Sequence, residues 1–167
     1  MRVFITGRPG VGKTTTLKYV VEEVKKRGVM VAGFLCPEAR EKGERMGFKI
    51  VDLSTGKEGW LAKVGPGEPR VGKYAVQKEA GEVARLVLSS LPTAQLVAID
   101  EIGPMELSIP AVKEVIDAVL KGEKPLVAVV HRTIKLEGKL YVLDVNNREQ
   151  VRKEVLKDVL KALGLQG

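Results

Sequence analysis

The sequence predicts an α/β fold with three layers, a mostly parallel sheet covered by helices on both faces and antiparallel strands inserted at residues 36–77. Three observations carry that expectation. Short apolar runs alternate along the chain with segments whose apolar residues recur at i, i+3, i+4 and i+7. The runs are apolar throughout rather than every second residue, as strands buried on both faces are. The first run leads directly into Gly7-Arg8-Pro9-Gly10-Val11-Gly12-Lys13-Thr14, which spells G-x-x-x-x-G-K-[ST] between a strand and a helix.

Taken in order, Val3 to Thr6 reads as a buried strand. The helix after the glycine loop carries Leu17, Val20, Val21 and Val24 on one face and stops at Gly28. Val29 to Leu35 reads as a second buried strand. Residues 36–77 break this rhythm with glycine-rich turns and the runs Phe48–Leu53 and Trp60–Ala62, joined by a hairpin turn at Ser54-Thr55-Gly56-Lys57. A helix over Lys78–Leu91 follows, then a third strand at Leu96–Ile99. Ser108 is a candidate cap for a helix facing inward through Val112, Val115, Ile116 and Val119. Leu126–Val130 and Leu140–Val145 complete the strands. Asn147 with Gln150 resembles a capping pair opening a last helix whose inner face is Val151, Val155, Val159 and Leu163. The whole chain, 1–167, is expected to form a single domain.

Composition narrows the function classes. At 167 residues and 44% apolar, the chain can bury a substantial core. No apolar run approaches the ~20 residues a bilayer span requires, and the start is too short in apolar residues for a secretory signal. One cysteine, Cys36, and one histidine, His131, exclude an internal disulfide and a Cys/His zinc cluster. A cytoplasmic setting is the expectation, with a monomer or weak oligomer. Abundant Lys and Glu beside scarce Asn, Gln and Cys lean toward a heat-adapted, thermophile source. The net charge of +7 suits a polyanionic ligand. Lys25-Lys26-Arg27 closes a helix, where cations favour the dipole, and no basic run is interleaved with aromatics. Nucleic acid is therefore not the expected partner.

The glycine loop carries the chemistry. Its glycines let backbone N–H groups turn inward toward an anion, and the following helix adds its own unpaired donors. Gly7, Arg8, Pro9, Gly10, Val11, Gly12, Lys13, Thr14 and Thr15 are the expected phosphate cradle. Lys13 reaches the β- and γ-phosphates and Thr14 holds a Mg²⁺ bridging them. The strand Leu96–Ile99 ends in Asp100 and Glu101. Asp100 is the expected second Mg²⁺ ligand, and Glu101 can polarise a water for in-line attack. An arginine that neutralises developing charge is also needed. Arg132, after the fourth strand, and Arg148, in the first turn of the last helix, are the candidates, while Arg40 and Arg45 flank a glycine loop that could swing over the site. His131 beside the phosphates is a candidate polar sensor.

At these residues the chain resembles the archaeal and bacterial nucleoside-triphosphatase family whose animal members include the cancer-related nucleoside triphosphatase. The resemblance runs over nearly the whole length. It rests on the loop from Gly7 to Thr15, on Gly33-Phe34 with Glu38, Arg40, Gly43, Arg45, Gly47 and Phe48, on Val71-Gly72-Lys73-Tyr74, on Ile99-Asp100-Glu101-Ile102-Gly103-Pro104-Met105-Glu106-Leu107, and on Asn147-Arg148. Cys36-Pro37 departs from the pattern. The resemblance implies a RecA-like P-loop sheet with the fourth strand between the glycine-loop strand and the Asp100 strand. It also implies Mg²⁺-dependent hydrolysis of ATP, GTP, CTP and UTP with loose base recognition, and it places the catalytic glutamate at Glu101. Two other functions fit the same residues: a small-molecule or nucleotide kinase with an acceptor pocket in 36–77, and a nucleotide-dependent switch.

Overall fold

Alternate residues of the central strands face opposite ways, and in the computed structural model, which describes residues 1–165, this alternation builds two separate cores. The elements are β1 (Arg2–Gly7), α1 (Lys13–Lys26), β2 (Val31–Leu35), β3 (Glu38–Glu41), β4 (Glu44–Asp52), β5 (Glu58–Val64), β6 (Arg70–Val71), β7 (Tyr74–Val76) and α2 (Glu79–Ser90). After them come β8 (Leu96–Ile102), α3 (Pro104–Ser108), α4 (Pro110–Lys121), β9 (Leu126–Val130), β10 (Lys139–Leu143) and α5 (Arg148–Ala162). Val3, Ile5, Ala98 and Val129 pack with Leu17, Val20 and Val24 of α1 and Val151, Val155 and Val159 of α5. Phe4, Val97, Ile99 and Ala128 face the other way, against Val83 and Val87 of α2 and Val112, Val115 and Ile116 of α4. Helices thus cover both faces of the sheet.

All ten strands join one sheet in the order β10-β1-β9-β8-β2-β4-β5-β7-β6, with β3 paired to β4. The five strands from β10 to β2 are parallel. The inserted region adds antiparallel strands beyond β2, beginning where Phe34 pairs with Asp52 and Leu35 with Val51. Its turn is fixed by Asp52, whose fully buried carboxylate accepts from the Thr55 hydroxyl at 2.6 Å and the Thr55 N–H at 3.2 Å. Ile50 and Leu61 turn the inserted sheet's inner face toward α2.

Parallel order brings the carboxyl ends of β1, β8 and β9 to one edge, where ligands of such sheets bind. β9 lies between β1 and β8, as the family resemblance implied. Close approach of β2 to β8 makes this packing intolerant at Gly33, which adopts φ +131° and whose added methyl would stand 1.7 Å from the Ala98 carbonyl oxygen. Gly33→Ala is expected to cost about 3 kcal/mol or more, read as a lowered denaturant midpoint.

Two helix starts differ from the sequence reading. Ser108 does not cap α4. It ends α3, its hydroxyl donating to the Met105 carbonyl at 2.6 Å, and α4 opens on Pro110, whose missing N–H needs no cap. Asn147 occupies the cap position of α5 without capping it. Its Oδ1 accepts from the Asp144 N–H at 2.8 Å and its Nδ2 donates to the Val142 carbonyl at 3.0 Å, while Gln150 turns to Glu154. The loop after β10 has claimed the side chain that the helix would have used. The third strand also runs further than its apolar residues, through Asp100 and Glu101 to Ile102.

Candidate active site

The loop from Gly7 to Gly12 joins β1 to α1. Gly12 stands at the helix start with φ +106°, and no side chain caps the helix and no acidic residue occupies its first turn. The first N–H groups of α1 are left for an anion, with the helix dipole behind them. Lys13 spans the loop, its ammonium donating to the Gly7 carbonyl at 2.7 Å. This carbonyl holds the ammonium over the concave side of the loop, where phosphate oxygens would take over as acceptors.

Thr14, on the exposed start of α1, brings its hydroxyl close enough to the Asp100 carboxylate at the end of β8 to favour its charged form. Asp100 is 8% exposed. Burial pushes its carboxyl up to about 6, helped by the charge of Glu101 and opposed by the Thr14 hydroxyl and by Lys13. A hydroxyl and a carboxylate that influence each other across α1 and β8 offer a pair of hard oxygen donors, which fits Mg²⁺ held by few protein groups and completed by water and phosphate. Thr14 and Asp100 would hold it.

Glu101 occupies an irregularity in the sheet. Asp100 pairs with Val129 and Ile102 with Val130, so Glu101 is an extra residue on β8 with no partner on β9. Glu101 is half-buried at the strand end, next to the buried Asp100. Beyond it, α3 doubles back and brings Glu106, 5% exposed, beside the same strand end. Cys36, bonded through its N–H to the Asp100 carbonyl at 2.7 Å, lies on the other side. Burial pushes the Cys36 thiol up, and the Glu106, Asp100 and Glu101 charges push it further, so it is not a thiolate nucleophile.

The two arginines named from the sequence both reach the loop. A methyl on Gly12 would lie 3.8 Å from Cδ and 4.0 Å from Nη1 of Arg148. Arg132 joins Thr6 and Gly7 through Val11 in lining a cleft of about 700 Å³ whose far wall is Val142 to Val145. His131 follows β9, its N–H bonded to the Ile102 carbonyl and its Nδ1 2.7 Å from Thr133 Oγ1. Thr15 is exposed on α1. Arg40 and Arg45 are held elsewhere, both paired to Glu38: Arg40 along β3 at 3.1 Å and Arg45 from β4 across the hairpin at 2.5 Å. Sequence reasoning gave Glu106 no role. Its signal in the sequence was its place, as an acid between Met105 and Leu107, in the Ile99–Leu107 run that carries the family resemblance.

A glycine loop feeding a helix from the first strand of a parallel sheet, with Thr14 at the helix start near Asp100 at the end of β8, defines a P-loop nucleoside-triphosphate-binding protein. The family described as NTPase matches residues 2–156. The nucleoside-triphosphatase THEP1 of Saccharolobus solfataricus is 47% identical over 166 residues, covering 98% of this chain and 95% of that one. The THEP1 of Methanocaldococcus jannaschii is 43% identical, covering 98% and 99%. Among solved structures, THEP1 from the hyperthermophile Aquifex aeolicus superposes with a TM-score of 0.79 at 28% identity, covering 95% and 99%. A human cancer-related nucleoside triphosphatase gives 0.72 at 31%, covering 96% and 97%. The chain belongs to this nucleoside-triphosphatase family. Among the described residues, no helix is long and apolar enough to cross a membrane.

Proposed function

We propose that this protein hydrolyses nucleoside triphosphates to diphosphate and phosphate in a Mg²⁺-dependent reaction, with ATP, GTP, CTP and UTP all accepted. The observation that supports this reading is Glu101, set on a bulge at the end of β8 next to Asp100, whose carboxyl feels its charge together with Thr14 and Lys13 of the glycine loop. The loop N–H groups and Lys13 bind and orient the phosphates. Thr14 and Asp100 would hold Mg²⁺, which would supply charge neutralisation for the phosphates. Glu101 accepts the proton of the attacking water, and Arg148 and Arg132 meet the charge that builds on the departing phosphate.

Loose base choice follows from the cleft beside the loop. Pro9, Val11, Val142 and Val145 give it apolar walls, with Val142 61% and Val145 63% exposed. The Asp144 carboxylate, the one acid there, is already taken by the N–H groups of Asn146 and Asn147. A surface of this kind stacks a base without reading its edges.

Phosphate release from the four triphosphates is expected at rates within about tenfold of one another, the discrimination that apolar contact alone provides. Chelation of Mg²⁺ and Lys13→Ala should each abolish it. A single base preferred by about 10⁴-fold would show a hydrogen-bonded base site and overturn the broad specificity. Phosphorylation of a nucleoside or nucleotide acceptor outpacing free phosphate would replace hydrolysis with kinase chemistry.

A further inference from the structure

Glu106 is a buried acid that the hydrolytic mechanism leaves without a task. The other buried acid, Asp52, has Oδ2 taken by Thr55 in the turn after β4 and Oδ1 without a partner among the described residues, but nothing places it beside the Asp100–Glu101 strand end. Glu106 likewise has Oε1 with no hydrogen-bond partner among the described residues, although the side chain is 95% shielded, and it does stand at that strand end. That oxygen points at a specific place. A methyl built on Gly103 would stand 3.0 Å from Glu106 Oε1 and 3.1 Å from Glu101 Oε1. The two carboxyl groups therefore converge on one small gap, and the bare α-carbon of Gly103 keeps it open.

We propose that Glu106 is a positioning residue for hydrolysis, closing with Glu101 on the gap beside Gly103 and fixing the orientation in which Glu101 holds the attacking water. The proposal rests on the reading of Glu101 as the water-activating group. A leucine would fill the same volume between Met105 and Leu107 without desolvating a carboxyl, so packing does not account for an acid here. Burial, then the charges of Glu101 and Asp100, pushes the Glu106 carboxyl up to about 8 against its own backbone hydrogen bonds. At neutral pH it is a proton-bearing donor facing an acceptor, rather than a second negative charge beside a triphosphate.

The test compares Glu106→Leu, Glu106→Gln, Gly103→Ala and Glu101→Gln in the full chain, reading kcat from phosphate release, Kd from a fluorescent ATP analogue and the thermal midpoint. Gly103 has φ −144° and ψ 177°, so alanine there brings only its methyl into the gap, with no backbone penalty. Glu106→Leu and Gly103→Ala are expected to lower kcat by about 10- to 100-fold, the scale of a small misplacement of reacting groups, with Kd and midpoint unchanged. Glu106→Gln, which donates from the same position, should recover most of the rate. Should Glu106→Leu fail to fold, Gly103→Ala decides alone. Wild-type kcat in a folded Glu106→Leu or Gly103→Ala protein, or equal losses in the Leu and Gln variants, would overturn the positioning role. Wild-type kcat in Glu101→Gln would overturn the hydrolytic reading beneath it, which separates the two failures.

Discussion

Glu101→Gln is expected to lower kcat by about 10²–10⁴-fold, the contribution of a positioned general base, while nucleotide binds as before. The amide keeps the size and hydrogen-bonding reach of the carboxylate and cannot accept the proton of water. Binding should survive because the groups proposed to hold phosphate, the α1 N–H groups and Lys13 across the loop at Gly7, and those proposed to hold the metal, Thr14 and Asp100, are left unchanged. Glu101 is the unpaired residue of the β8 bulge, next to Asp100, so the change leaves the Thr14 and Asp100 oxygens in place. Single-turnover phosphate release, with Kd measured beside it, checks the expectation. A proportional loss of binding and rate would make Glu101 part of the metal or phosphate site rather than the water site.

The layout of the site was legible because its signals are local. A glycine loop between an apolar strand and an amphipathic helix specifies its own geometry, and an apolar strand ending in Asp100-Glu101 specifies where the carboxylates lie relative to a parallel sheet. What the sequence hid depends on contacts made far along the chain. β3 consists of Glu38, Ala39, Arg40 and Glu41, with no apolar alternation, and exists because β4 pairs with it. β6 and β7 are short strands of two and three residues, held by each other and by β5. Ser108 and Asn147 have the right chemistry for caps, and in both cases a nearer backbone group captured the side chain. Glu106 was the largest omission. Its burial and its convergence with Glu101 arise only when α3 folds back against the end of β8, which no periodicity in five residues can announce.

Arg148→Ala is expected to lower kcat by about 10³-fold or more, since loss of the arginine that meets transition-state charge costs 10³–10⁵ in this chemistry. Its position supports that role over a merely structural one. A cation in the first turn of a helix opposes the dipole, and the acid beside it, Glu149, leans instead toward Arg152 at 3.6 Å. Arg148 lies along Gly12, beside the uncapped first N–H groups of α1, so an anion bound there would offset its unfavourable placement. Arg148→Lys should recover only part of the rate, because an ammonium restores charge without the planar fork that grips two phosphate oxygens. An unchanged kcat in Arg148→Ala would pass the role to Arg132 in the adjoining cleft. Since Arg148 and Gly12 belong to one chain, the wild-type rate per molecule should not depend on protein concentration. A rate per molecule that climbs with concentration would mean that the working arginine comes from a second copy.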